Sequence, residues 1–573
     1  MCRCVTATCL RADAKFNAWS ELYHNFIFLA DILVNMKTFV AVYINHFDDE
    51  YFGDVVTWAS TIPEAEKIAF YAEKDCSDAA SAFLRDNGNV PASGKLVASA
   101  ADATCAADAS GKLAPVVAKQ GWTLSSLLAS IAADSVEYDN VVFAWADCPF
   151  YDTKLTSKLY GQHVQYAAEY SYADGWPYGL VPEILAAGTV RILSKLAEQK
   201  PEVSSGKLTK DSLFNLIKTD INSFEIETLI SPVDFRMYRL EFTCSTKRGK
   251  LLCERLAELR QKDADALEFC NEAVKSAAVL HTLPYFYSIQ IAEKCTGNCI
   301  YCPYPEEYRK KYGKLPTEAD STAFMDYERF SKLIDGVKAF SDDAVVALSL
   351  WGEPMYHPEI IKFIEKVLEY PSLSVLIETT GVNVTDSFCN QVKATVEAAP
   401  KRTGSYPAIM WIVSLDAVTQ KTYETLHPGS TLTLEQVSVA AELLKKAFPD
   451  TTYVQMVRTE HNESELEAFF RGHENRIIQK YDYFCGKLPQ FKPADLSPIL
   501  RNECWHLRRD MQILSDGSVP LCKEYMFDSC VGNAFYENFE DIWNKGVPLL
   551  ESHINKEYPD ICRNCDEFYT CNF

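Results

Sequence analysis

Cys295-Thr-Gly-Asn-Cys299-Ile-Tyr-Cys302 is the stretch on which the reading of this chain turns. It follows directly on the apolar run YFYSIQI (285–291), so its C-x3-C-x2-C spacing sets three thiols on one tight loop after a strand. Three thiolates can hold three irons of a cubane cluster and leave the fourth iron without a protein ligand. That open iron can chelate a substrate or cofactor, and a low-potential cluster at that distance can pass it an electron. The alternative is a zinc knuckle, or three loop cysteines packed as small residues.

Working outward, VVALSL (345–350), LSVLIE (373–378), AIMWIVSL (408–415) and TYVQMV (452–457) continue the strand-like series, with helical patterns between them. Repeated βα units with right-handed crossovers predict an open or closed parallel barrel, its chemistry at the C-terminal ends of the strands. We place this barrel at residues 281–490, after a charged, amphipathic helical linker over 250–280. From 491 to 573 the pattern is irregular and cysteine-rich, as in a small domain held together by a metal. Upstream, FVAVYI (39–44) and VVFAWA (141–146) open a separate β/α domain over 36–249. Residues 1–35 read as an extension ahead of Met36. The fold class expected throughout is α/β.

The cluster motif, with Tyr301 just before its third cysteine, resembles the signature of the radical S-adenosylmethionine (SAM) superfamily. Trp351-Gly352-Glu353-Pro354, after VVALSL, resembles that family's second-strand motif, whose backbone groups and carboxylate bind the SAM ammonium. Glu378-Thr379-Thr380-Gly381, Ser414-Leu415-Asp416 and Val454-Gln455-Met456 resemble family positions around the ribose and adenine. The resemblance implies a partial (β/α)6 barrel in which Cys295, Cys299 and Cys302 hold a [4Fe-4S] cluster. Tyr301, Gly352, Glu353, Pro354, Glu378, Thr380, Ser414, Asp416 and Gln455 would bind SAM. It also implies reductive cleavage of SAM to a 5′-deoxyadenosyl radical that abstracts hydrogen from substrate, with electrons from a low-potential donor such as flavodoxin or ferredoxin. Read without it, Glu353 is a carboxylate at a helix N-terminus, and Ser414 and Asp416 are helix caps.

Cys504, Gly517-x4-Cys522, Cys530 and Cys562-x2-Cys565-x5-Cys571 form a second constellation that resembles the SPASM extension, with its auxiliary iron-sulfur clusters. The chain stops at Phe573, before the full SPASM pattern ends, so the shortened twitch version with one auxiliary [4Fe-4S] cluster is expected. Its ligands would be Cys504, Cys522, Cys562 and Cys565, with Cys571 able to replace one of the last two and Cys530 left to packing. Structural zinc is the alternative, since C-x2-C pairs serve it equally well.

VVFAWADCPFYD (141–152) and WPYGLVPE (176–183) resemble sugar-activating cytidylyltransferases, of GT-A-like fold, with Asp147 at the metal-binding position. Yet Asn45-His46-Phe47-Asp48-Asp49-Glu50 is acidic where that family has a Gly-rich basic loop for triphosphate. Thr243-Cys244-Ser245 stands where a second metal-binding Asp belongs. A domain that has lost nucleotidyl transfer is expected. The whole layout resembles the spiro-SPASM proteins, a resemblance that names no substrate.

Composition narrows the partners. The 573 residues carry 56 Lys+Arg against 79 Asp+Glu, a net charge of −23, which repels a phosphate backbone at long range. The absence of an 18-residue apolar run argues against a membrane span, and a cytoplasmic location is expected. Twenty cysteines in such a chain suggest metal or redox work rather than disulfides. The leading function is a radical SAM oxidation or crosslinking of a peptide or carbohydrate-type substrate. The competing readings are a nucleotidyltransferase with an iron-sulfur appendage and a scaffold with structural clusters.

Overall fold

TFVAVYI forms β1 (Thr38–Ile44), buried along its whole length. A continuous apolar run with no polar alternation suits a strand covered on both faces of a parallel sheet. The computed structural model describes residues 36–86, 116–260, 264–295, 297–316, 323–480, 487–488, 501–565 and 567–568. They fall into two compact units, the first running to Ser245 and taking in Gly249–Asn271, the second holding Thr246–Arg248 and running on from Glu272. The segment expected as a linker over 250–280 is thus shared between the two. The expected extension over 1–35 and Cys571 lie outside the described residues.

In the first unit β1 is joined by β2 (Ala65–Glu73), β3 (Val116–Lys119), β4 (Asn140–Trp145), β5 (Tyr170–Asp174), β6 (Glu183–Ala186) and β7 (Ile226–Ile230). Their order is β3-β2-β1-β4-β6-β5-β7, with β6 antiparallel to both its neighbours and the other pairs parallel.

The second unit builds a parallel sheet from β8 (Phe286–Ile289), β9 (Ala344–Ala347), β10 (Leu373–Thr379), β11 (Ile409–Ser414), β12 (Thr452–Arg458) and β13 (Arg476–Lys480), paired in chain order. Six parallel strands with helical crossovers match the α/β partial barrel expected here. Its layers lock through apolar helix faces: IIKFIEKVL (Ile360–Leu368) buries Ile360, Phe363, Ile364 and Val367. Phe363 stacks on Phe330 of the helix Tyr327–Ser341 at 4.1 Å. Burying a side chain of this size contributes about 1.5–3 kcal/mol relative to leaving it in water.

A seventh strand, β14 (Asp510–Ile513), pairs parallel with β8 and covers that edge. It comes from the segment read as irregular, so the cysteine-rich part is continuous with the barrel sheet. Beyond it β15 (Ser518–Pro520) and β16 (Cys530–Asn533) form an antiparallel pair, followed by the helices Phe539–Asn544, Val547–Ile554 and Asp560–Arg563. Among the described residues no helix is long and apolar enough to cross a membrane.

Candidate active site

A cleft of about 220 Å³ opens at the C-terminal ends of β9 to β13. The three-cysteine loop forms one wall. Cys295, Cys299, Cys302 and the intervening Tyr301 all line the cleft, and the sulfurs of Cys295 and Cys299 flank Gly297, 3.6 and 3.4 Å from where its Cβ would stand. Backbone bonds fix the loop: Cys302 N donates to Cys299 O at 3.0 Å, Ile300 N to Leu426 O at 3.0 Å, and Glu353 N to Lys294 O at 2.8 Å. Burial pushes the Cys295 thiol up to about 12, and Cys302 further. Desolvated thiols of this kind stay protonated until a bound cation offsets the buried charge and releases the proton, and an iron cluster supplies that positive charge. Among the described residues no three His, Cys, Asp or Glu groups are set to hold a single metal ion, and a cubane's ligands stand further apart than those of one ion.

Gly352 and Glu353 form the second wall. Gly352 has φ +86°, and a Cβ there would lie 2.0 Å from Ala292 O. Glu353 is 3% exposed and fully bonded within the chain. Its carboxylate accepts Met355 N at 3.2 Å, Thr379 Oγ1 at 2.7 Å, Thr380 N at 2.8 Å and Thr380 Oγ1 at 2.7 Å. It therefore ties the loop after β9 to the end of β10. Burial raises its pKa and these bonds oppose the rise. Pro354 is buried in the turn Pro354–Tyr356 behind the cleft.

Glu378, Thr380, Ser414 and Gln455 line the far side. Gln455 Nε2 donates to Glu378 Oε1 at 3.0 Å, and Ser414 is in register with Gln455. Asp416 is fully buried and does not line the cleft. It sits at φ +61° in a three-residue turn closed by Ala417 N to Leu415 O at 2.8 Å. Its carboxylate accepts Tyr301 OH at 2.8 Å and Val457 N at 2.6 Å, which makes it a support beneath the cysteine loop. His427, which sequence reasoning missed, joins this support: Nδ1 lies 3.1 Å from Cys299 Sγ and Nε2 lies 3.2 Å from Asp416 Oδ2. Burial opposes charge on His427, yet Asp416 and Cys299 outweigh it and raise its pKa to about 10.

Cys504, Cys522, Cys562 and Cys565 line a second cavity, together with His506, Tyr525 and the C-terminal helix residues Leu549 and His553. Burial raises Cys522 well above the usual thiol range and Cys562 to about 11. Cys530 does not line this cavity, and rather than packing inside it is exposed on β16. Lys523, next to Cys522, lines both cavities, and its Nζ lies 3.1 Å from Glu567 Oε2.

In the first unit Asp147 is fully buried and already partnered. Lys210 Nζ pairs with its Oδ1 and stands 3.9 Å over the Trp145 ring, and Asn45 Nδ2 donates to its Oδ2 at 3.0 Å. Lys210 thus supplies the positive charge that faces the buried Asp147 carboxylate.

Residues 289–471 match the radical SAM superfamily, and residues 504–566 match the SPASM iron-sulfur cluster-binding domain. The chain belongs to the radical SAM superfamily and carries a SPASM domain. An uncharacterized protein of Treponema pallidum (strain Nichols) is 36% identical over 370 residues, 63% of this chain and 98% of that protein. Among solved structures, SuiB of Streptococcus suis bound to precursor peptide SuiA is similar at 12% identity and TM-score 0.35, over 58% of this chain and 77% of that one. A cytidylyltransferase from Leptospira borgpetersenii serovar Hardjo-bovis is similar at 12% identity and TM-score 0.31, over 42% of this chain and 94% of that one. This radical SAM protein is an enzyme that uses [4Fe-4S] clusters and SAM, and the two sets of desolvated thiols suit those clusters.

Proposed function

We propose that this enzyme oxidises a peptide or carbohydrate-type substrate held in the cleft between its two cysteine sites. The observation that carries this reading is Lys523, which follows Cys522 of the second site and also lines the first cleft. When bound, the groups at the two sites supply reductive cleavage of SAM to a hydrogen-abstracting radical and, beside the substrate, an acceptor for one electron.

The chain's own residues do the rest. Gly352 brings the loop after β9 against the cysteine loop, and Glu353 fastens that loop to Thr379 and Thr380. We assign the cofactor-facing positions to Tyr301, Gly352, Glu378, Thr380, Ser414 and Gln455, with Glu353, Pro354 and Asp416 holding the walls behind them. Trp351, stacked on Tyr304 at 6.1 Å, helps close the cleft against water. Lys523, its Nζ held by Glu567, reaches the substrate-facing end from the second site. We propose reduction by flavodoxin or ferredoxin in the cytoplasm. Nucleotidyl transfer is disfavoured by the Asp147–Lys210 pair.

The test is deuterium transfer. The reduced, SAM-supplied enzyme is incubated anaerobically with deuterated peptide and deuterated carbohydrate pools, and 5′-deoxyadenosine is examined by mass spectrometry. Deuterium from one pool identifies the substrate class, and Cys522→Ala should then leave 5′-deoxyadenosine formation in place while losing the oxidised product. No transfer from either pool would overturn this reading.

A further inference from the structure

The three cysteines of the first site are not held alike. Cys295 and Cys302 each accept a backbone N–H, from Gly297 and Tyr304. Cys299 is met by a side chain: His427 Nδ1 lies 3.1 Å from its sulfur. His427 is 3% exposed and its position is fixed from several sides. Its backbone N donates to Tyr423 O at 2.8 Å, its ring packs on Tyr423 with centroids 4.5 Å apart, and it meets the Tyr301 ring edge-on at 5.8 Å. Nε2 faces Asp416 Oδ2 at 3.2 Å.

Asp416 is itself held in a backbone conformation that costs free energy for a non-glycine residue. Three bonds keep it there: its N to Gln455 O at 3.0 Å, Val457 N to its carboxylate at 2.6 Å, and Asn462 Nδ2 to its carbonyl at 2.9 Å. The neighbouring Ile300 N to Leu426 O bond keeps the histidine and the cysteine loop in register. A buried carboxylate held by a strained turn therefore sits on one side of an imidazole whose other nitrogen meets one sulfur of the cluster motif.

We propose that His427, aimed by Asp416, donates a hydrogen bond to the Cys299 sulfur and thereby sets the reduction potential of the cluster held by Cys295, Cys299 and Cys302. A donor to a ligating thiolate withdraws charge from the metal site and favours the reduced state, and hydrogen bonds to the sulfurs are among the determinants of cluster potential. Asp416 faces the far side of the ring as a buried charge contact at Nε2, one step further from the metal than a partner of a ligand itself. His427 is thus a positioning residue that acts through Cys299. This assignment rests on the radical SAM identity of the site.

The experiment is an EPR-monitored redox titration of the reconstituted full-length enzyme, following the signal that SAM perturbs, in wild type, His427→Phe, His427→Gln and Asp416→Asn, each with measured iron content. His427→Phe is expected to shift the reduction equilibrium against the reduced state on the order of tenfold, a midpoint lower by about 59 mV for one electron. His427→Gln, which keeps an N–H donor, is expected to restore part of the shift, and Asp416→Asn to fall between.

A second readout needs no variant. Wild-type enzyme made with ¹⁵N-histidine is expected to show a ¹⁵N coupling to the SAM-responsive signal in ENDOR spectra. A His427→Phe enzyme with full iron content and an unchanged midpoint would overturn the proposal. If that variant fails to take up iron, absence of the ¹⁵N coupling in wild type overturns it. A cluster signal that SAM does not perturb at all would instead contradict the radical SAM identity of the site.

Discussion

Replacing Gly352 with alanine tests whether the approach of two backbone loops builds the cleft beside the cysteine loop. The residue sits at φ +86°, where an L side chain costs roughly 1–2 kcal/mol. The new Cβ would also lie 2.0 Å from Ala292 O and 3.0 Å from Ala292 C, so backbone rather than a flexible side chain must move. Forced overpacking of this kind typically costs about 1–3 kcal/mol. The two together predict a loss of about 2–5 kcal/mol, or a displaced 351–354 loop that relieves the clash at the expense of the cleft. The assay pairs urea unfolding of the protein with equilibrium binding of SAM after cluster reconstitution. Gly472→Ala is the control: nothing lies within 4 Å of its Cβ position, it ends the helix Leu466–Gly472, and its effect should stay within about 0.5 kcal/mol. A Gly352→Ala protein as stable as wild type and equally able to bind SAM would refute the reasoning.

Asp510 is buried against Arg509 and His506, and although burial opposes its charge, these partners hold its pKa at about 2. Its unfolded value is about 3.9, so the pair contributes roughly 2–3 kcal/mol above pH 4 that is lost as pH falls toward 2. Urea midpoints followed from pH 5 to pH 2.5 should show this loss in wild type and a shallower one in Asp510→Asn; parallel curves would count against it. In the first unit Lys210→Met leaves Asp147 buried and unpaired, and should cost about 3–5 kcal/mol, much of it recovered in the Asp147→Asn/Lys210→Met double variant. Calorimetry of the wild type with Mg²⁺ and CTP should show no binding heat, since the Lys210 ammonium already pairs with the Asp147 carboxylate; saturable binding would contradict that account.

The cysteine loop, the Trp351–Pro354 turn and the polar ends of β10 to β12 were legible because each is a short local pattern beside an apolar strand. What escaped was built by contact between distant segments. Arg476-Ile-Ile-Gln-Lys480 has two apolar residues between charged ends, and becomes β13 only through its register with β12. Asp510-Met-Gln-Ile513 is hidden among cysteines, and becomes β14 by pairing with β8 some 220 residues away. His427 stands 128 residues from Cys299, with no spacing to suggest their meeting. Lys523 belongs to no motif, and lines the cleft only because the fold sets Cys522 beside it. Glu353 was legible as a site residue, but its role as a tie between β9 and β10 depends on Thr379 and Thr380 presenting three donors to it.

The central claim is that the cleft at the ends of β9 to β13 is a working radical SAM site. Its most direct test is anaerobic formation of 5′-deoxyadenosine from SAM by the reconstituted, dithionite-reduced protein, beside the Cys299→Ala variant. The account predicts steady product from wild type and none above background from the variant. No product from a wild-type protein shown by iron content and spectrum to hold its cluster, or equal product from Cys299→Ala, would contradict it.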